Sequence, residues 1–385
     1  MRVCFTSYRP FGDGPVHQPF LESDPANIAY VLGGVYLSFY TLRKLSDREL
    51  SARLQPYDLI LVALDVEALE LVRRIVAACP GRFATYSEGH IADYQRLSPA
   101  GQLSFVQIIN QAQANFLYWE KYLPFYRALT HTPVEYLPYP YLLREARQFA
   151  LPLERRSALA ALPTGFAGFT RNGLANLIVA QKLLEAKWIE ELACWLETTT
   201  FEQDAQAISS FLFSETRLHQ PRSQTLNWRH WLSATHMDYR VLLKAKAKLF
   251  PTQPPTPAAA WKIKNVFLYR REGWPKYLEK LASARLLIDL NNRETVGRNA
   301  LDCAALGIPC ISTNRSDLQS KIFPETTLSD PWDVTLAFKL CEHLLSDPTF
   351  YQRVIDQAGA QAAQFDIAAF QHRFNVLATN LHLPQ

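Results

Sequence analysis

The sequence predicts an α/β chain of two doubly wound units, and three observations lead there. Apolar runs of strand length, such as Tyr57 to Asp65 (YDLILVALD) and Leu286 to Leu290 (LLIDL), read as strands buried on both faces of a parallel sheet. Helix-like segments separate them, so strand and helix alternate along the chain. At 385 residues the chain exceeds the usual size of one domain, and a charged segment, Arg144 to Arg156, divides it.

In order, Met1 to Ser7 is the first strand, followed by a Gly/Pro-rich loop from Arg9 to Pro25 and a helix from Val35 to Leu45. Gly33 and Gly34 precede that helix, where backbone without side chains can close on a phosphate. Tyr57 to Asp65 is the second strand, and Val66 to Ala78 is the helix after it. Arg82 to Ser87 is the third strand and ends in Ser87-Glu88-Gly89-His90. Ligands of open α/β sheets collect at the carboxyl ends of strands, which makes Glu88 and His90 candidates for chemistry. A helix from Pro99 to Ala114, a short strand from Asn115 to Tyr118, another helix and VEYLPYPY at 134–141 complete a first domain, 1–145.

The second domain, 150–366, opens with a strand, Ser157 to Leu162, and runs through PTGFAGFTRNG into the helix Leu174 to Ala186. Ile189 to Glu197 is the next strand. Thr198 to Phe250 has a mostly helical pattern without firm boundaries, and PTQPPTPAAA at 251–260 is a Pro-rich loop. Asn265 to Tyr269 is a further strand, and Ile367 to Leu381 closes the chain as an amphipathic helix.

With 48% hydrophobic and 20% charged residues, the composition is that of a folded globular protein. No apolar run reaches spanning length, and MRVCFTSYRPF turns polar before a signal-peptide core forms, so the expected compartment is the cytoplasm or the inner face of its membrane. The six cysteines are scattered without Cys-x-x-Cys or zinc spacing, which predicts free buried thiols. A net charge of +4 does not itself imply nucleic-acid binding. Between Asp238 and Glu272, however, there is no acid, while Arg240, Lys244, Lys246, Lys248, Lys262, Lys264, Arg270 and Arg271 all fall there. That stretch reads as a solvated face and linker, or as an attraction for a diphosphate, an anionic membrane or nucleic acid.

The most informative stretch is ETVGRNALDCAALGIP, 294–309. It joins the strand at Leu286 to a second at Ile308 to Ser312, forming one βαβ unit. Gly297 stands at the helix entrance, where the N–H groups of Val296, Gly297 and Arg298 are open to a phosphate, and Gly307 stands at its C-cap. Glu294 and Asp302 frame the helix, eight residues or roughly 12 Å apart at helical rise. Glu294 also suits the helix dipole, whereas Asp302 lies among Leu301, Cys303 and Ala304 and needs a partner, for which a ribose diol is one candidate.

These residues resemble the Glu-x7-Glu signature of retaining GT-B glycosyltransferases of family 4. Glu294, Gly297, Gly307 and Pro309 match it, with Asp302 where the family usually carries a second Glu. The likeness covers residues 261 to 365, and the first half shares only architecture. It implies two Rossmann-like domains facing each other across a cleft, with the helix 367–385 packing back on the first. It also implies a nucleotide-diphosphate sugar as donor, retention of configuration assisted by the leaving phosphate, and no metal or other cofactor; no Asp-x-Asp motif occurs.

In that scheme Glu294 holds hydroxyls of the donor sugar, Asp302 the ribose, and the backbone from Thr295 to Arg298 the phosphate. The family's phosphate-binding Arg and Lys after the second domain's first strand are replaced by Gly165-Phe166 and Arg171-Asn172-Gly173. Arg171 is then the phosphate clamp, with Arg270 and Arg271 as replacement charges. His90 resembles a histidine that touches the donor sugar in relatives, and Glu88, His90 or Asp93 would be the base if configuration inverted. The acceptor stays open among glycan, lipid-linked glycan, protein and nucleic acid. Two other readings stand beside this one. Phe166 and Asp302 motivate a catalytically weak or inactive relative acting as a binding or scaffold subunit, and the basic stretch motivates a nucleic-acid-modifying glycosyltransferase. A NAD-binding reading fails because no Gly-x-Gly-x-x-Gly opens a helix after a strand.

Overall fold

The computed structural model describes residues 1–8, 12–21, 26–87, 91–163, 172–196, 201–213 and 260–383. Among them, strands β1 (Val3–Ser7), β2 (Gly14–Pro15), β3 (Val35–Ser38), β4 (Leu59–Ala63), β5 (Phe83–Ser87), β6 (Asn115–Leu117) and β7 (Val134–Tyr136) form one sheet, ordered β2-β3-β1-β4-β5-β6-β7. Every neighbouring pair is parallel except β2 with β3. A second sheet holds β8 (Leu159–Leu162), β9 (Glu191–Leu196), β10 (Ala260–Ile263), β11 (Val266–Arg270), β12 (Leu286–Asp289), β13 (Cys310–Thr313) and β14 (Thr327–Leu328). Its order is β10-β11-β9-β8-β12-β13-β14, and only the edge pair β10 and β11 is antiparallel. The strand order reverses between β8 and β12, so the chain beyond Asp289 leaves the sheet at a switch point, where open α/β sheets take ligands.

The strands form where the sequence is mostly apolar. β1, β5 and β12 are buried at every position, and β4 at all but its last. The sheets carry separate hydrophobic cores, and Phe370, Phe374 and Ala378 of the C-terminal helix Ile367–Asn380 pack into the core of the first. The Phe374 ring lies 6.1 Å from that of Phe116 in β6. The chain crosses between sheets at 137–142, where Tyr141 bridges to Asp366 and its N–H donates to the Phe365 carbonyl at 2.8 Å. All six cysteines are buried and free. No helix among the described residues is long and apolar enough to cross a membrane.

Two local expectations are corrected. Val35–Ser38 is a strand, because pairing in register with Cys4 to Ser7 outweighs its reading as the start of a helix. Gly33 and Gly34 therefore do not open a helix; they end the short helix Asn27–Val31 and lead into β3 at the amino edge of the sheet. The Gly34 N–H donates to the Ala29 carbonyl at 2.7 Å, and a Cβ there would stand 2.6 Å from the Val3 carbonyl oxygen. Close strand packing explains Gly34, and the helix entrance expected at this pair is absent. Two further elements lie outside the sequence reading. The helix Asp47–Leu54 has Ser46 and Glu49 in a reciprocal capping box, and β10 makes the β10–β11 hairpin through Lys264 at φ +53°.

Candidate functional site

The loop after β12 is pinned before its functional residues appear. The Asp289 carbonyl accepts from Ser312 Oγ and the Asn291 carbonyl from Thr313 Oγ1, both at 2.5 Å, which ties the loop to β13. The Leu290 N–H donates to Asn176 Oδ1 at 2.7 Å, and Asn299 Nδ2 reaches Asp289 Oδ2 at 2.9 Å. Farther on, the Thr295 N–H donates to the Arg315 carbonyl and the Asp317 N–H to the Thr295 carbonyl, each at 3.0 Å. The Thr295 N–H is thus occupied within the protein. No acceptor among the described residues takes the Val296 or Gly297 N–H.

Gly297 caps the helix Arg298–Leu306 in the left-handed region at φ +84°, and a Cβ there would lie 2.8 Å from Ser316 Cβ. The expectation of an open approach gives way to a packing reason: the loop after β13 closes directly on this glycine. Gly297→Ala is expected to destabilise the protein by about 2–4 kcal/mol from the backbone strain and the clash combined, read from denaturant melts.

Glu294 sits midway along this pinned loop and faces the first sheet. Tyr122 Oη donates to Glu294 Oε2, while Lys121 Nζ is 2.9 Å and Arg315 Nη1 3.9 Å from Oε1. Tyr122 and Lys121 belong to the turn that follows β6, so the carboxyl edges of both sheets meet at this acid. Burial, then the hydrogen bond and charge of Glu294, push the Tyr122 phenol well above its ordinary pKa.

Asp302 has a different setting. It is wholly buried, and its Oδ1 accepts from Tyr141 Oη and from Trp274 Nε1, both at 2.8 Å. Its Oδ2 lies 3.8 Å from Arg298 Nε. Burial raises the Asp302 carboxyl above its ordinary pKa, and Arg298, Trp274 and Tyr141 only partly offset this. The partners its helical position required are therefore Tyr141, in the crossing between the sheets, and Trp274. Arg298 is likewise turned toward this cluster: Asp302, Tyr139 and Tyr277 raise its pKa against the opposing effect of burial.

Of the remaining sequence candidates, Glu88, His90 and Arg171 lie outside the described residues, as does Phe166. The Arg270 guanidinium stacks over Phe201 at 4.5 Å, and the Arg271 N–H donates to the Leu196 carbonyl at 2.9 Å. In the basic stretch, Lys262 lies over Phe267 and 3.7 Å from Glu191, Lys264 lies over Phe213, and Arg240, Lys244, Lys246 and Lys248 are outside the described residues. Lys121, Tyr122 and Arg315 escaped the sequence reading because they carry no motif. The rule that singled out Glu88 and His90, position at a strand's carboxyl end, would have found them.

No family model matches the sequence, and no curated protein matches it either. Solved structures do. HepE from Anabaena, in complex with UDP-glucose, superposes with a TM-score of 0.62 at 10% identity, covering 99% of this chain and 100% of that one. Sucrose-phosphate synthase from Thermosynechococcus elongatus gives 0.60 at 14% identity over 99% of both chains. The trehalose-6-phosphate synthase OtsA gives 0.61 at 11% over the whole of both. Matched from end to end by such proteins, and built from two seven-stranded α/β sheets, this chain has the GT-B fold of glycosyltransferases.

Proposed function

We propose that the protein transfers a sugar from a nucleotide-diphosphate donor to an acceptor, with the donor seated between the carboxyl edges of the two sheets. Unit 150–366 would hold the nucleotide and unit 1–145 the acceptor. The observation that carries this reading is Glu294: an acid on a rigid loop at the switch point, facing the other sheet and ringed by Lys121, Tyr122 and Arg315. Sugar transfer builds positive charge at the anomeric carbon and negative charge on the leaving diphosphate. A carboxylate can hold sugar hydroxyls beside the first, and neighbouring cations favour the second. HepE, matched along its whole length, was solved with UDP-glucose and with UDP and glucose, which supports a nucleotide-sugar donor here. Another match is a trehalose-6-phosphate synthase studied for transfer with retention, which supports a retaining course here; in that course the leaving phosphate would take the acceptor's proton. The reaction needs no metal in this reading.

Titration calorimetry against a panel of nucleotide-sugars, followed by an assay of nucleotide release with mixed acceptors, tests the proposal. Micromolar to millimolar binding of one donor and acceptor-dependent release are expected, with rates unchanged in excess EDTA. Binding without release across the acceptor panel would identify a non-catalytic binding subunit instead. Failure of every donor to bind would remove the reading altogether.

A further inference from the structure

Resting on that reading, we infer that Lys121 and Tyr122 of the first sheet are positioning residues for Glu294, so that recognition of the donor's sugar is completed by the half of the molecule opposite the nucleotide. Tyr122 Oη and Lys121 Nζ take one oxygen each of the Glu294 carboxylate, from a segment 172 residues away in sequence. Held at both oxygens, the carboxylate is oriented by these contacts.

The turn that presents them is fixed independently of Glu294. The Trp119 and Tyr122 rings stack at 5.1 Å with 15° between their planes, over a fully buried Trp119. The Lys121 ammonium stands 4.8 Å and 4.9 Å from those two ring centroids. The preceding residue, Glu120, is tied to the second half at another point: its Oε2 lies 3.2 Å from Lys321 Nζ. Lys321 also reaches Asp317 at 3.1 Å and Tyr136 Oη at 3.3 Å. Three consecutive side chains thus grip two places in the second half. Loss of one contact leaves the turn seated and the other intact, which separates setting the acid from merely holding the halves together.

The test uses UDP and UDP-glucose as probes, with the full chain. Both carry the nucleotide and only one carries the sugar, so the ratio of their affinities isolates the sugar's contribution. In Tyr122→Phe and Lys121→Met, UDP affinity should stay at the wild-type level, while the extra affinity for UDP-glucose falls by roughly tenfold or more. Lys121→Arg should restore most of it, and turnover should fall through kcat/KM by a similar factor. Equal losses for UDP and UDP-glucose would show a latch between halves and overturn the inference. So would an unchanged ratio in both variants, or a wild-type protein that binds UDP-glucose no better than UDP. A wild-type protein that binds neither probe nor any donor of the panel would overturn the proposed function itself, and this inference with it. Thermal melts of each variant verify that it is folded.

Discussion

Asp302→Ala is expected to destabilise the protein by about 2–6 kcal/mol, from two buried hydrogen-bond donors left unmet at about 1–3 kcal/mol each. The carboxylate is wholly buried and receives hydrogen bonds from Tyr141 Oη and Trp274 Nε1, with the Arg298 guanidinium against its other oxygen. Alanine leaves two buried donors and a cation without the acceptor they surround. Asp302→Asn keeps one oxygen for the two donors and loses the charge, so its loss should be nearer 1–2 kcal/mol. Urea melts would show this as a lowered midpoint with an unchanged slope. The pH dependence has a definite sign. Burial raises the folded-state pKa of Asp302 above its unfolded value, so the folded protein binds this proton more tightly. The resulting contribution is fully present below the unfolded value of about 3.9 and declines as pH rises through the folded one. Wild type should therefore lose more stability than Asp302→Asn across weakly acid pH, the difference between the two isolating this group from carboxylates such as Asp58 and Asp347, whose pKa values move down. A wild-type melting point in Asp302→Ala would mean that the acid is not structural.

The same residue shows how far the sequence could be read. An aspartate inside an apolar helix demands a partner, and local reasoning establishes that demand without naming who meets it. The partners stand 28 and 161 positions away, in Trp274 and Tyr141, at distances only the folded chain brings together. The strands β4, β5, β12 and β13 were legible because burial on both faces leaves mostly apolar runs, and the helix between β12 and β13 ends at Gly307 with φ +67°, the conformation its C-cap position implied. Val35–Ser38 was not legible, since its strand state comes from pairing with β1. Arg156 gave no signal at all. Folded, it is buried and donates to the carbonyls of Leu151, Leu306 and Gly307, fastening the C-terminal end of that helix. Glu294 was recognised by its motif, but Lys121 and Tyr122, which give it its setting, come from the half of the chain whose likeness to the family was architectural only.

Glu294→Ala should behave in the opposite way to Asp302→Ala: activity falls while the fold stays. Its side chain is one-third exposed, as is that of Lys121, and Arg315 is more exposed still, so these two cations can be hydrated, whereas the buried Tyr122 loses its acceptor. Ion pairs in such positions contribute about 0–1 kcal/mol and one unmet buried hydroxyl about 1–3 kcal/mol, so the melting point should fall less than in Asp302→Ala. If this carboxylate holds the donor sugar as charge develops, its loss removes a preorganised charged contact from the transition state, worth about 2.7–4 kcal/mol or a 100- to 1,000-fold fall in kcat/KM. Glu294→Gln keeps the shape and one acceptor and should lie between wild type and alanine. Because Tyr122 acts through Glu294, the double variant Tyr122→Phe/Glu294→Ala should be no slower than Glu294→Ala alone, the non-additivity expected when one residue works only by orienting another. Full additivity would separate Tyr122 from Glu294. Undiminished turnover in Glu294→Ala would take away the acid on which the assignment of sugar transfer to this site depends.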